Sequence, residues 1–162
     1  MRGDRGPVLL CALLVASCGM AGGPGGSGTV AGSAGAGEPL VIAPRVLVAD
    51  REQTEPIATG EVLAGSTLGG SPFCPGGTVL DSHGSTDPAI RLIIETITCP
   101  DGTLSLAFTP FELNGQTQAG AWMIVKGTGA YDGLTGSGTL EAVYDPDPAA
   151  PTNVTFTGTA RR

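Results

Sequence analysis

The sequence predicts an all-β protein, built as a closed up-and-down antiparallel barrel of eight strands, with a two-sheet β-sandwich as the alternative. Three observations lead there. Apolar residues alternate with small or polar ones, as in Thr103-Leu104-Ser105-Leu106-Ala107-Phe108-Thr109 and Asn153-Val154-Thr155-Phe156-Thr157, so that one face of each run is core and the other is wet. Turn signals separate such runs at Cys74-Pro75-Gly76-Gly77, Cys99-Pro100-Asp101-Gly102, Asn114-Gly115 and Asp132-Gly133; Asn-Gly and Asp-Gly allow the positive φ angles of tight hairpins. After Glu38 no stretch repeats its apolar residues every ~3.6 positions, and Gly, Pro and Thr punctuate nearly all of them, which disfavours helix.

Residues 1–17 stand apart from that domain. Positive charge at Arg2 and Arg5 precedes a short apolar run, Pro7 to Ala16, which is the layout of an export signal. The run falls short of the ~20 apolar residues that a stable membrane span needs, so export is expected to end in cleavage. Val15-Ala16-Ser17-Cys18 resembles the lipobox of bacterial lipoproteins: an aliphatic residue, two small ones and a cysteine. That resemblance implies that the Cys18 thiol is alkylated with diacylglycerol and becomes an acylated (palmitate-type) mature N-terminus, while Cys11 is discarded with the signal. Residues 18–37 then read as the lipidated cysteine and a Gly/Ala/Ser linker with too little to bury to offset the entropy of ordering it. Its root-mean-square reach is about 24 Å, enough to hold a folded body off a membrane surface.

The strands of the domain, residues 38–162, are expected near 40–49, 57–64, 77–82, 90–99, 103–111, 117–126, 136–144 and 153–160. A closed barrel is the simplest arrangement for them because it leaves no edge strand to aggregate. This part carries fourteen acidic and six basic residues, a net charge of −8, which argues against nucleic acid and anionic headgroups as direct partners. Its two cysteines, Cys74 and Cys99, each precede a proline at a turn. In an exported protein such a pair is most economically a disulfide, stabilising the fold by about 3–4 kcal/mol through loop closure. A zinc site would need more ligands than His83 and the absent Cys-x-x-Cys spacing supply, so no metal or cofactor is expected.

The glycine-rich stretch Gly127-Thr128-Gly129-Ala130-Tyr131-Asp132-Gly133-Leu134-Thr135-Gly136-Ser137-Gly138 lies between two of these strands. It is not a phosphate cradle. The dinucleotide spacing fails at Asp132, no G-K-S or G-K-T occurs, and Thr139 to Tyr144 reads as strand where a helix would be needed. The reading that fits is a wide hairpin in which Gly127, Gly129, Gly133 and Gly136 permit tight bends and close strand approach, with Tyr131 and Leu134 folded back as apolar anchors. From Trp122 onward the stretch is similar to the glycine-rich hairpin of the allene oxide cyclase and dirigent families, and to exported bacterial proteins carrying a G-T-G-A-Y-x-G-L-x-G-x-G run. The likeness covers residues 120–140. It implies an eight-stranded antiparallel barrel of calycin-like type, and since the plant enzymes surround an apolar cavity and often form trimers, it leaves an apolar ligand and a homo-oligomer open. Their catalytic residues lie outside the matched hairpin and are not carried over to any residue here.

No catalytic constellation is legible. Asp81-Ser82-His83 are adjacent in sequence, which does not aim them at one another, and no G-x-S-x-G elbow is present; His83 reads as a solvated loop residue. Asp145-Pro146-Asp147-Pro148 lacks calcium-loop spacing and reads as a connector. Glu95 interrupts Leu92-Ile93-Ile94-Glu95-Thr96-Ile97, and alternation puts Arg91 on its face. The preferred reading is an outward pair on a wet strand, the other a polar group inside a cavity. The expectation is a lipid-anchored extracytoplasmic barrel that binds an apolar small molecule or serves as a structural component of the envelope; the alternative is a cyclase or isomerase acting on a hydrophobic substrate inside the barrel.

Overall fold

A computed structural model describes residues 37–49, 57–87 and 89–162. The calls on the export signal, on Cys18 and on the linker as far as residue 36 fall outside the described residues. Among the described residues eleven strands form in chain order: β1 Glu38–Ile42, β2 Pro44–Val48, β3 Ala58–Val62, β4 Thr67–Leu68, β5 Ser71–Pro72, β6 Thr78–His83, β7 Ile93–Cys99, β8 Gly102–Asn114, β9 Thr117–Gly127, β10 Thr135–Val143 and β11 Thr152–Arg161, with a short 3-10 turn at Gly129–Tyr131.

All pairings are antiparallel, and the sheet closes on itself through β10 and β11. β1 and β2 act as one strand broken at Ala43. Pro44 has no N–H to give the ladder, and the Ala43 N–H turns aside to the Ser66 hydroxyl at 3.0 Å. β1 pairs with β11 over Glu38 to Ile42, whereas β2 passes from β11 to β3. Counting β1 and β2 together, the ring runs through β3, β6, β7, β8, β9, β10 and β11, which makes the closed eight-stranded barrel that the alternation and turn signals predict. The two short strands β4 and β5 form a hairpin on the free edge of β1. They are too short to leave a periodic signal in the sequence.

Alternation decides what fills the barrel. Leu40, Ile42, Val79, Ile97, Leu104, Leu106, Leu140 and Phe156 are buried with almost no exposure. Phe156 sits among the rings of Phe108 and Trp122, edge to face at 5.6 and 6.3 Å, contacts that add about 0.5–1.5 kcal/mol each beyond their burial. At one end of the barrel β2, β6, β8 and β10 finish. The other carries the turn after β7, the loop holding β4 and β5, and the glycine hairpin.

At that second end the hairpin takes the shape its residues require. Tyr131 is 6 % exposed, its ring meets Phe73 edge to face at 5.4 Å, and its hydroxyl donates to Asp101 Oδ1 at 2.9 Å. Burial, then the Asp101 carboxylate beside it, push the Tyr131 phenol up to about 12. Leu134 is buried as well. Gly129 has φ +59° and a Cβ there would lie 2.2 Å from the Asp101 carbonyl oxygen; at Gly127 a Cβ would lie 1.9 Å from the Tyr131 carbonyl oxygen. Backbone crowding therefore demands glycine at both. Cys74 and Cys99 are bonded, tying the loop that carries Phe73 to the end of β7.

Candidate functional site

Two carboxyl groups face each other inside the barrel. On β6, Val79 and Asp81 point inward, and on β7 so do Glu95 and Ile97; the register sets Asp81 directly opposite Glu95. The same row continues through Ala58 on β3 and Leu106 on β8. Directly opposed residues in an antiparallel pair bring their Cβ atoms to about 4.5–5.5 Å, so two acids there necessarily interact. Glu95 is 1 % exposed and Asp81 6 %. The carboxyls hydrogen-bond to one another, while Asp81 Oδ1 and Glu95 Oε1 are buried with no hydrogen-bond partner among the described residues.

The electrostatics follow from this placement. Burial raises the Asp81 carboxyl from its ordinary 3.8 to about 7, against the lowering effect of the hydrogen bond with Glu95. Burial, then the charge of Asp81 and the hydrogen bond to it, hold the Glu95 carboxyl well above the usual carboxylate range. Like charges this close do not readily both ionise, so as Asp81 ionises around neutrality the pair retains one shared proton. Such a pair contains a proton donor and a proton acceptor side by side in an apolar surrounding. It lies one register row inside the barrel from His83 and Ile93, toward the end at which β2, β6, β8 and β10 finish.

Of the residues singled out in the sequence, only Glu95 enters this site, and it does so as the interior group, not as the outward one of the preferred reading. Arg91 does not accompany it: the strand begins at Ile93, and Arg91 is exposed ahead of it. A strand starting at residue 90 would have carried the alternation back to Arg91; Arg91 and Leu92 instead lie outside any strand. His83 is the last residue of β6 and is exposed. Gly127, Gly129, Tyr131, Gly133 and Gly136 gather at the opposite end of the barrel, as do Cys74 and Cys99. The site residue that sequence reasoning missed is Asp81. Its signal was available, since Asp81 lies two positions from Val79 within a predicted strand and must share its face. Beside Ser82 and His83, Asp81 reads as part of an Asp-Ser-His run instead.

Among the described residues no group of three or more His, Cys, Asp or Glu could hold a metal ion. No protein-family model, no curated protein and no solved structure matches the chain.

Proposed function

We propose that this chain is a lipid-anchored extracytoplasmic barrel that takes an apolar small molecule into its interior, with Asp81 and Glu95 as the polar contact. The observation that carries the reading is the buried carboxyl pair. Folding gains nothing from two acids in an interior otherwise lined by Ile97, Leu106, Phe108 and Phe156, because a buried ionisable group weakens the fold unless it is paired. Small-molecule sites are mostly apolar with a few convergent polar groups, often ones with displaced pKa values. The Val15-Ala16-Ser17-Cys18 lipobox and the Gly-rich linker support the anchor, and the resemblance of the hairpin to barrels that enclose apolar cavities supports the ligand class. Calorimetric titration with short-chain apolar amphiphiles tests it. Saturable binding at one site per chain is expected, and its absence across neutral and charged probes would refute the reading.

A second reading, proton-shift catalysis of the cyclase or isomerase type, is favoured by one feature: two carboxyls that share a proton give an acid and a base in one place. Its test is deuterium uptake from heavy water into enolisable apolar ketones. Uptake that disappears in Asp81→Asn is expected for an enzyme; uptake equal to the buffer rate rules this reading out.

A further inference from the structure

We infer that the Asp81–Glu95 pair is a recognition site for a lipophilic secondary ammonium, a protonated amine with an apolar arm on either side. This rests on the reading that the barrel interior receives an apolar small molecule, and names the chemistry of that molecule. The argument begins with unused acceptors. Among the described residues Asp81 Oδ1 and Glu95 Oε1 have no hydrogen-bond partner although both are buried, and each such group left alone weakens the fold. Both belong to acids that face one another across β6 and β7, so the complement must bring donors and not acceptors.

It must also bring positive charge. Around the pair the inward residues are Ala58 on β3, Val79 on β6, Ile93 and Ile97 on β7, and Leu106 on β8. The one titratable neighbour on these faces, among the described residues, is His83, a register row nearer the barrel end. Arg91 is exposed ahead of β7 and Lys126 is exposed on β9, so neither supplies a counter-charge. The pair holds a single proton near neutrality and one negative charge as Asp81 ionises.

The alternatives fit less well. A divalent cation such as calcium takes about 6–8 oxygen ligands, and no third acidic or imidazole ligand joins the pair among the described residues. A primary ammonium brings three N–H donors and would leave one unpaired in an apolar wall. A secondary ammonium brings two, one for each orphan oxygen, and its carbon arms suit the Leu106 and Ile97 surroundings.

The test uses the full chain carrying Cys18→Ala, which removes the proposed anchor, titrated calorimetrically with dibutylammonium and with dibutyl ether, its uncharged analogue of like shape. At about pH 8, where Asp81 is ionised, the ammonium is expected to bind at least about tenfold more tightly than the ether. At about pH 5 Asp81 holds its proton and the preference should fall toward unity. Asp81→Asn should abolish it at both pH values; circular dichroism checks that this variant is folded, and the pH comparison in the parent stands should it not be. Equal binding of the two probes, or a preference that survives Asp81→Asn and so comes from the acidic surface, overturns the ammonium site and leaves the apolar-ligand reading in place. Binding of neither probe overturns both.

Discussion

Replacing Asp81 by asparagine should make this protein more stable at alkaline pH, although the change removes a residue buried in its interior. In the unfolded chain Asp81 ionises near 3.8; in the barrel burial raises it to about 7, and Glu95 too is held well above the usual carboxylate range. Between those values of Asp81 the folded state binds more protons than the unfolded state, so the contribution of Asp81 is most favourable below about pH 4 and declines as pH rises through about 7. Once Asp81 is fully ionised the loss is about 4 kcal/mol, at about 1.4 kcal/mol per decade of displaced ionisation. Against it stands the Asp81–Glu95 hydrogen bond, about 1 kcal/mol, which an asparagine amide keeps in part. The gain dominates. Urea midpoints of parent and variant measured from about pH 5 to pH 9 should converge at the acid end and separate by roughly 2–3 kcal/mol at the alkaline end, the variant being the more stable. Comparing the two proteins cancels every titration they share. A variant less stable than the parent at about pH 8, or a difference independent of pH, would refute the reasoning.

Four further outcomes follow from the opposite end of the barrel and from the leader. Gly127→Ala and Gly129→Ala should each cost at least about 2 kcal/mol, because the new Cβ meets backbone oxygen at 1.9 and 2.2 Å, whereas Gly133→Ala, with φ +71° but open space around it, should cost only about 1 kcal/mol; thermal melts that rank Gly133 equal to the others would contradict the geometry. Tyr131→Ala, which empties the contact with Phe73 and the bond to Asp101, should cost about 3–5 kcal/mol in the same assay. Thiol labelling of denatured, unreduced protein should leave Cys74 and Cys99 unmodified, and Cys18→Ala should abolish detergent-phase partitioning together with the acyl mass.

Much of the barrel was legible because a half-buried strand has a period of two, and that period shows in stretches such as Leu104, Leu106 and Phe108 or Val154, Phe156 and Ala160. The expected strands at 117–126 and 153–160 match β9 and β11 to within a residue. Where period was lacking, the reading was coarser: β1 and β2 read as one strand because the break at Ala43 depends on Ser66, twenty-three positions away. The site was harder for the same kind of reason. Alternation puts Asp81 on the face of Val79 and Glu95 on the face of Ile97, but pairing them needs the β6–β7 register, and the 84–92 connector between those strands has no fixed-length turn to set it. Arg91 drew attention because the start of β7 was taken three residues early; Ile93 is the first residue that pairs.

The most direct test is to see the shared proton itself. A protonated carboxyl sealed in an apolar interior has a carbonyl stretch distinct from that of ionised or solvated acids, so infrared spectra near neutral pH should contain such a band in the parent. Glu95→Gln should remove it. Asp81→Asn should leave a protonated Glu95 whose band is shifted by the loss of its charged neighbour. An absence of any protonated carboxyl near pH 7 in the folded parent, or a band unchanged in Glu95→Gln, would contradict the presence of a proton-sharing acid pair inside this barrel.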